Sequence, residues 1–145
     1  MAWPYISNMN KFFSPQPIWQ SSGLAIIRIL VGLFMFYHGL ELFDAAKMKE
    51  YSTWAPTKSF SFPLFLAYAG KIAELAGGLM LAFGFMTRLG TIILIIPMLY
   101  ISFLIGNGKI WYEDQYPFLF VLLALVYFFS GPGAWSIDNM RAEKK

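Results

Sequence analysis

The sequence predicts an all-α membrane protein: an antiparallel four-transmembrane-helix bundle. Three observations carry that prediction. The 145 residues are 58% hydrophobic with a mean hydropathy of +0.56, and only 13% are charged, well short of the roughly one-quarter share usual in soluble domains. The apolar residues gather into four long runs. All five tryptophans, Trp3, Trp19, Trp54, Trp111 and Trp135, fall in the flanks of those runs, and indole rings settle at the headgroup level of a bilayer.

Taken in order, residues 1–21 form a lead-in. Its apolar run starts too late for a secretory signal, Pro4, Pro15 and Pro17 interrupt it, and no small-residue cleavage site follows. The stretch "WPYISNMNKFF" reads instead as an aromatic segment lying in the interface. The first span runs from Leu24 to Phe43 and the second from Pro63 to Phe85, both near the roughly 20 apolar residues a crossing needs. The third, Leu89 to Ile105, is close to the lower limit, with Pro97 as an expected kink. The fourth, Tyr116 to Phe129, lengthens to 114–130 with Asp114 as its N-cap. Short spans cross by thinning the bilayer locally or by packing on longer neighbours.

The links "GFMTRLG" and "GNGKIWYED" are tight, which favours antiparallel neighbours. The link from Asp44 to Phe62 is longer, holds Pro56 and several Ser/Thr residues, and suits a small cap over one mouth. "GPG" at 131–133 is a helix stop. The whole chain, 1–145, reads as one domain. Four spans put both termini on one side, with Lys11, Arg88, Arg141, Lys144 and Lys145; the other side holds Lys47, Lys49, Lys58 and Lys109. Five against four places the termini in the cytoplasm.

Composition also excludes chemistries. With no cysteine in the chain, thiol exchange, thiolate metal sites and Fe–S ligation are out of reach. A single histidine does not make a zinc or haem site, so no metal site and no built-in cofactor are expected. The net charge of +3 comes without a basic run, which leaves nucleic-acid binding unsupported. Any redox role takes its electrons from a bound cofactor or a partner.

The chemistry-bearing residues are the charges inside the spans. In "YAGKIAELAGG", residues 68–78, Lys71 and Glu74 sit one helical turn apart in a lipid-like run. Ionisable groups at membrane depth are costly and need partners, a purpose or both. Depths at about 1.5 Å per residue order Arg28, Glu74, Lys71 and His38 into a ladder across the first two spans, with the arginine reaching along the axis to Glu74. At about 100° per residue, Arg28, Gly32, Met35 and Gly39 share a face with His38 at its edge. Lys71, Glu74, Gly78 and Leu81 share another, beside a stripe of Ala69, Ala73 and Gly77 that lets backbones approach. Glu41 points away from Arg28 and reads as a hydrated rim carboxylate. Glu113 and Asp114 read as the cap of the fourth span and the acidic mouth of a cavity. Arg88, in a tight turn, reads as an anchor to lipid phosphate. The ladder serves two readings with the same residues, an ionic clamp fixing register or a ligand site; catalytic residues as such are not assigned.

The early Arg28, the "HG" pair His38–Gly39, the run "ELAGGLMLAFGFMTRLG" and the tail "GPGAWSID" stand in one order over residues 21–139. In this the chain resembles the DoxX family of small four-helix bacterial membrane proteins. It departs at Glu41, where members often carry a lysine three residues after the histidine; a cationic site there has become acidic. The resemblance implies a multi-pass protein of the bacterial plasma (inner) membrane. Relatives include subunits linked to quinone-dependent sulfur oxidation and to redox-stress complexes.

Three functions follow as expectations. The first is an accessory membrane subunit, not an enzyme on its own, that anchors or docks a membrane or peripheral redox protein and contacts quinone through its charge cluster. The second is a quinone-reactive subunit of a membrane oxidoreductase, for example of the thiosulfate:quinone type. Glu74 and His38 would then handle protons, and Arg28 and Lys71 would stabilise negative charge. The third, a small solute carrier, ranks last because four short spans leave little room for paired repeats. Homo-oligomers are compatible with each.

Overall fold

The computed structural model describes residues 14–144. Most of the predicted interfacial segment, including Trp3 and Lys11, lies outside the described residues, as does Lys145. The described chain is all helical. Helix α1 (Gln20–Gly39) runs into a 3-10 turn (Leu40–Phe43); α2 (Ala45–Thr53) and the single turn α3 (Ala55–Lys58) follow. Helices α4 (Pro63–Phe83) and α5 (Thr87–Tyr100) come next, then a π-helical turn (Ile101–Ile105), α6 (Gln115–Ser130) and the short α7 (Ile137–Ala142).

Three of these stretches, Gln20–Phe43, Pro63–Phe83 and Thr87–Ile105, are long and apolar enough to cross a membrane. The 16 residues of α6 rise only about 24 Å, short of a hydrocarbon core of about 30 Å. The predicted second span ends two residues early because Gly84 takes a left-handed φ of 63° and closes α4, the conformation glycine tolerates at a helix C-terminus.

Glycine sets the α1–α4 contact. A side chain on Gly32 would strike the backbone of Ala82 and Gly78, one on Gly39 the backbone of Leu75, and one on Gly78 the backbone of Phe36 and Gly32. Residue numbers rise along α1 as they fall along α4, so the two run antiparallel at backbone contact. Beside this seam Met35, Leu81, Leu94, Met98, Val121 and Tyr127 make a buried core shared by α1, α4, α5 and α6. Tyr127 is fully buried and donates its hydroxyl to the Leu24 carbonyl at 2.9 Å, tying α6 to α1.

The link from Asp44 to Phe62 folds into α2 and α3. Asp44 caps α2, accepting from the Ala46 and Lys47 amides at 3.0 and 3.1 Å. Met48, fully buried, anchors α2 against the helices below, and Thr57 of α3 is buried with it. This cap positions Tyr51 and Trp54 over one end of α1, α4 and α5, where the charges lie.

Candidate functional site: a charged cavity under the cap

The four-member charge line begins in α2 and ends inside α4. Lys47 Nζ meets Glu41 Oε1 at 2.7 Å; Glu41 Oε2 meets Lys71 Nζ at 3.0 Å; Lys71 Nζ meets Glu74 Oε2 at 2.7 Å. Side-chain exposure falls along the line from 44% at Lys47 through 24% at Glu41 and 13% at Lys71 to 2% at Glu74. The signs alternate, so the line is neutral and each inner charge is flanked by its opposite, which is what makes burial tolerable. Tyr51 donates its hydroxyl to Glu41 Oε2 at 2.8 Å, and Lys71 Nζ lies 5.4 Å from the centre of the Tyr51 ring, within cation–π range.

Lys47 and the Tyr51 that bonds Glu41 lie outside the spans and carry shifted affinities. Burial and the bond to Glu41 push the Tyr51 phenol above its ordinary range, so Tyr51 is a neutral donor. The hydrogen bond to Glu41 raises Lys47, which keeps it cationic.

The inner three members, Glu41, Lys71 and Glu74, form one wall of a cavity of about 320 Å³, within the range of small-molecule sites. His38, Glu41, Lys71 and Glu74 line it on the charged side; Tyr51, Trp54 and Thr57 roof it; Tyr100, Ile101 and Ile105 close the far side. Thr57 Oγ1 and the Tyr100 hydroxyl stand 3.3 Å apart. Pro97 interrupts α5 at this level, removing the N–H that would bond the Ile93 carbonyl. The π-helical turn follows, with the Gly106 amide reaching Ile101 O at 2.7 Å and Ser102 Oγ bonding back to Met98 O at 2.9 Å. Single π turns recur at functional sites.

The structure brings His38, Lys71 and Glu74 together and separates Arg28 from them. Arg28 is fully buried at the other end of α1, where Nη1 bonds Pro132 O and Nη2 bonds Trp135 O, both at 2.8 Å. Its Nε has no partner among the described residues. Arg28 forms no ion pair with Glu74 among the described residues. The expected ladder is thus split: the arginine clamps the "GPGAW" loop. Axial depth alone misplaced it, because the loop carbonyls that capture the guanidinium lie more than 100 residues away in sequence.

Glu41 takes the place in the cluster that Arg28 leaves. Its expected direction rested on continuous α-helix, whereas α1 gives way at Leu40 to a 3-10 turn. Winding at about 3.0 instead of 3.6 residues per turn turns Glu41 toward Lys71 and Lys47.

Glu113 and Asp114 lie outside the cavity wall. Glu113 is 69% exposed and pairs with Lys109 at 3.2 Å. Asp114 holds the position before α6, yet its carboxylate accepts from the Asn107 and Lys109 amides at 3.0 and 2.9 Å, closing its own loop. His38 is exposed on the protein surface at the cavity edge, with its ring set edge-on to Tyr37.

A second polar junction ties the opposite end. Asp138 accepts from the Met86 amide, the Thr87 amide and the Thr87 hydroxyl, all at 2.8 Å, satisfying N–H groups that the start of α5 leaves orphaned. Burial alone would raise Asp138, but these bonds outweigh it and hold the carboxyl below its usual range. Arg88, which heads α5, bonds Phe128 O at 3.3 Å.

The DoxX family profile matches residues 23–107, more than half the chain. The chain belongs to the DoxX family. An uncharacterized protein of Haemophilus influenzae is 32% identical over 125 residues, covering 80% of this chain and 88% of that one. No solved structure matches. DoxX membership, with three helices able to cross, makes this a membrane protein.

Every cavity-lining residue, from His38 to Ile105, falls within the DoxX match, whereas the "GPGAW" loop held by Arg28 lies beyond it. Sequence reasoning missed Tyr51, Trp54, Thr57 and Tyr100. An available signal was the aromatic and hydroxyl content of the 44–62 link, which is richer than a simple connection requires.

Proposed function

We propose that this DoxX protein is an accessory membrane subunit that seats the carbonyl headgroup of a quinone-class molecule in the cavity and docks a redox partner. The reading takes the four apolar helices as an antiparallel transmembrane bundle in a bacterial plasma membrane, with α6 as a short fourth span and both termini cytoplasmic.

The observation that carries it is a donor count on the cavity wall. An ammonium has three N–H donors; Lys71 directs two at Glu41 and Glu74, which leaves one for a ligand. Thr57 and Tyr100 share one mutual hydrogen bond, which leaves the second hydroxyl hydrogen of that pair free. Unengaged donors thus stand on α4 and across the cavity from it, the pattern two carbonyl oxygens of one ring accept. Residues and ligand class fit.

Bound quinone supplies the two-electron, two-proton chemistry that this chain lacks. The chain's own residues do the rest. Lys71 and the Thr57–Tyr100 pair orient the ring, Tyr51 and Trp54 cover it, and Glu74 balances Lys71. A second reading, a quinone-reactive subunit of an oxidoreductase, is favoured by the exposure gradient. The line from half-exposed Lys47 to buried Glu74 connects water to the cavity as a proton route requires.

Fluorescence titration of the purified protein with a tail-less benzoquinone tests the headgroup site. Saturable quenching that weakens about tenfold or more in Lys71→Met, the loss of one good hydrogen bond to a charged group, supports the reading. Unsaturable quenching identical in both proteins overturns it. Steady-state turnover with a partner at saturating quinone separates the two roles, since a reactive subunit loses maximal rate in Glu74→Gln and a docking subunit, which only binds quinone more weakly, does not.

A further inference from the structure

The charged cavity does not end at its polar wall. An apolar groove of about 350 Å³ adjoins it between α4 and α5, and the two share Leu66, Gly70, Pro97 and Tyr100. We propose that the site takes a molecule with an apolar tail, which enters sideways from the lipid through a slot at Gly70 and Pro97 and leaves its tail in that groove. This rests on the headgroup reading above and adds the route and the tail.

Three observations carry it. The first is adjacency, since Leu66, Gly70, Pro97 and Tyr100 line both cavities, so only these side chains stand between the two. The second is a change in character along the passage: Glu41, Lys71 and Glu74 line one end, while Ala69, Ala73, Ile93 and Ile96 line the other. A polar head with an apolar chain matches both ends; a wholly polar solute matches one.

The third is that the sequence keeps the slot open. An added Cβ on Gly70 meets nothing within 4 Å among the described residues, unlike Gly32, Gly39 and Gly78, where it would strike backbone. Packing therefore gives no reason for glycine at position 70, although glycine in a helix interior costs about 1 kcal/mol relative to alanine. Space does give one. Opposite it, Pro97 cuts one bond from the α5 ladder, in a region where irregular backbone is tolerated beside cavities. Ile96 is 65% exposed, so the groove opens to the lipid-facing surface.

The test compares two ligands on the full chain in detergent micelles: an isoprenoid benzoquinone and the same benzoquinone without a tail. Affinities are read by tryptophan quenching in wild type, in Gly70→Leu and in Gly23→Leu. Gly23 serves as control because an added Cβ there also meets nothing within 4 Å among the described residues. Wild type is expected to prefer the tailed molecule. Gly70→Leu should cut that preference about tenfold, the equivalent of some two methylenes left unburied, with Gly23→Leu behaving as wild type. If both molecules bind and Gly70→Leu alters neither, the slot is overturned and the headgroup site stands. If Gly70→Leu weakens both equally, the tail assignment is overturned. If neither binds wild type, both inferences are overturned.

Discussion

Lys71 Nζ and Glu74 Oε2 stand 2.7 Å apart, one turn along α4, with the carboxylate side chain 2% exposed. The second carboxylate on Lys71 comes from Glu41, after the end of α1. The pair therefore joins two helices and, through Lys47, the cap. A clamp and a ligand wall are built from the same atoms here.

Lys71→Met leaves Glu74 buried without its cation, and we expect a loss of about 3–5 kcal/mol. Adding Glu74→Gln to that variant removes the stranded charge and should restore most of the stability. Unfolding in mixed detergent micelles measures both. A double variant as unstable as the single would show that burial of an unpaired charge is not the cause.

Arg28→Met removes two charge-assisted bonds to loop carbonyls, each worth roughly 1.5–3 kcal/mol. Amide exchange should accelerate across 131–139 while quinone titration stays as in wild type. Loss of binding with an unaltered loop would put Arg28 back with the cavity.

Asp138 has a depressed folded pKa, so its contribution is present above its unfolded value of about 3.9 and is lost as pH falls through the lower folded value. Protection of the Met86 and Thr87 amides should therefore hold at neutral pH and fall below about pH 4. Asp138→Asn should lower stability by about 1 kcal/mol at neutral pH, as for a lost helix cap, and flatten the pH dependence. The same fall in Asp138→Asn would assign the titration to another group.

Gly78→Ala places a methyl against the Phe36 amide and the Gly32 carbonyl; forcing the helices apart should cost about 1–3 kcal/mol. Gly70→Ala meets open space and should gain up to about 1 kcal/mol from helix propensity. Thermal unfolding of the two distinguishes a contact glycine from a space-keeping one.

Much of the fold was legible because its signals are local. Run length marked α1, α4 and α5 to within a few residues, and Gly32, Gly39 and Gly78 lay on the faces expected to meet, although the close-approach stripe was placed at Ala69, Ala73 and Gly77, and Gly77 packs on Leu94 of α5 instead. The Lys71–Glu74 pair was legible for the same reason, being three residues apart on one helix. What was not legible depends on chain far away or on a change of winding. Arg28 is captured by carbonyls at 132 and 135, and no periodicity reveals them. Glu41 is swung inward by a 3-10 turn that the apolar run of α1 conceals. The length of the 44–62 link suggested a cap over one mouth, but not its two helices α2 and α3 or the burial of Met48 and Thr57.

Identification of the small molecules that stay with the full-length protein through mild-detergent purification from its native membranes, by extraction and mass spectrometry, tests the cavity most directly. Wild type and Glu74→Gln are purified side by side, and co-purifying proteins are identified in the same samples. We predict a tailed quinone in wild type and its loss from Glu74→Gln, with any partner retained by both. A partner retained by both and quinone in neither would reduce the Lys47–Glu41–Lys71–Glu74 line to an ionic clamp and contradict a ligand site.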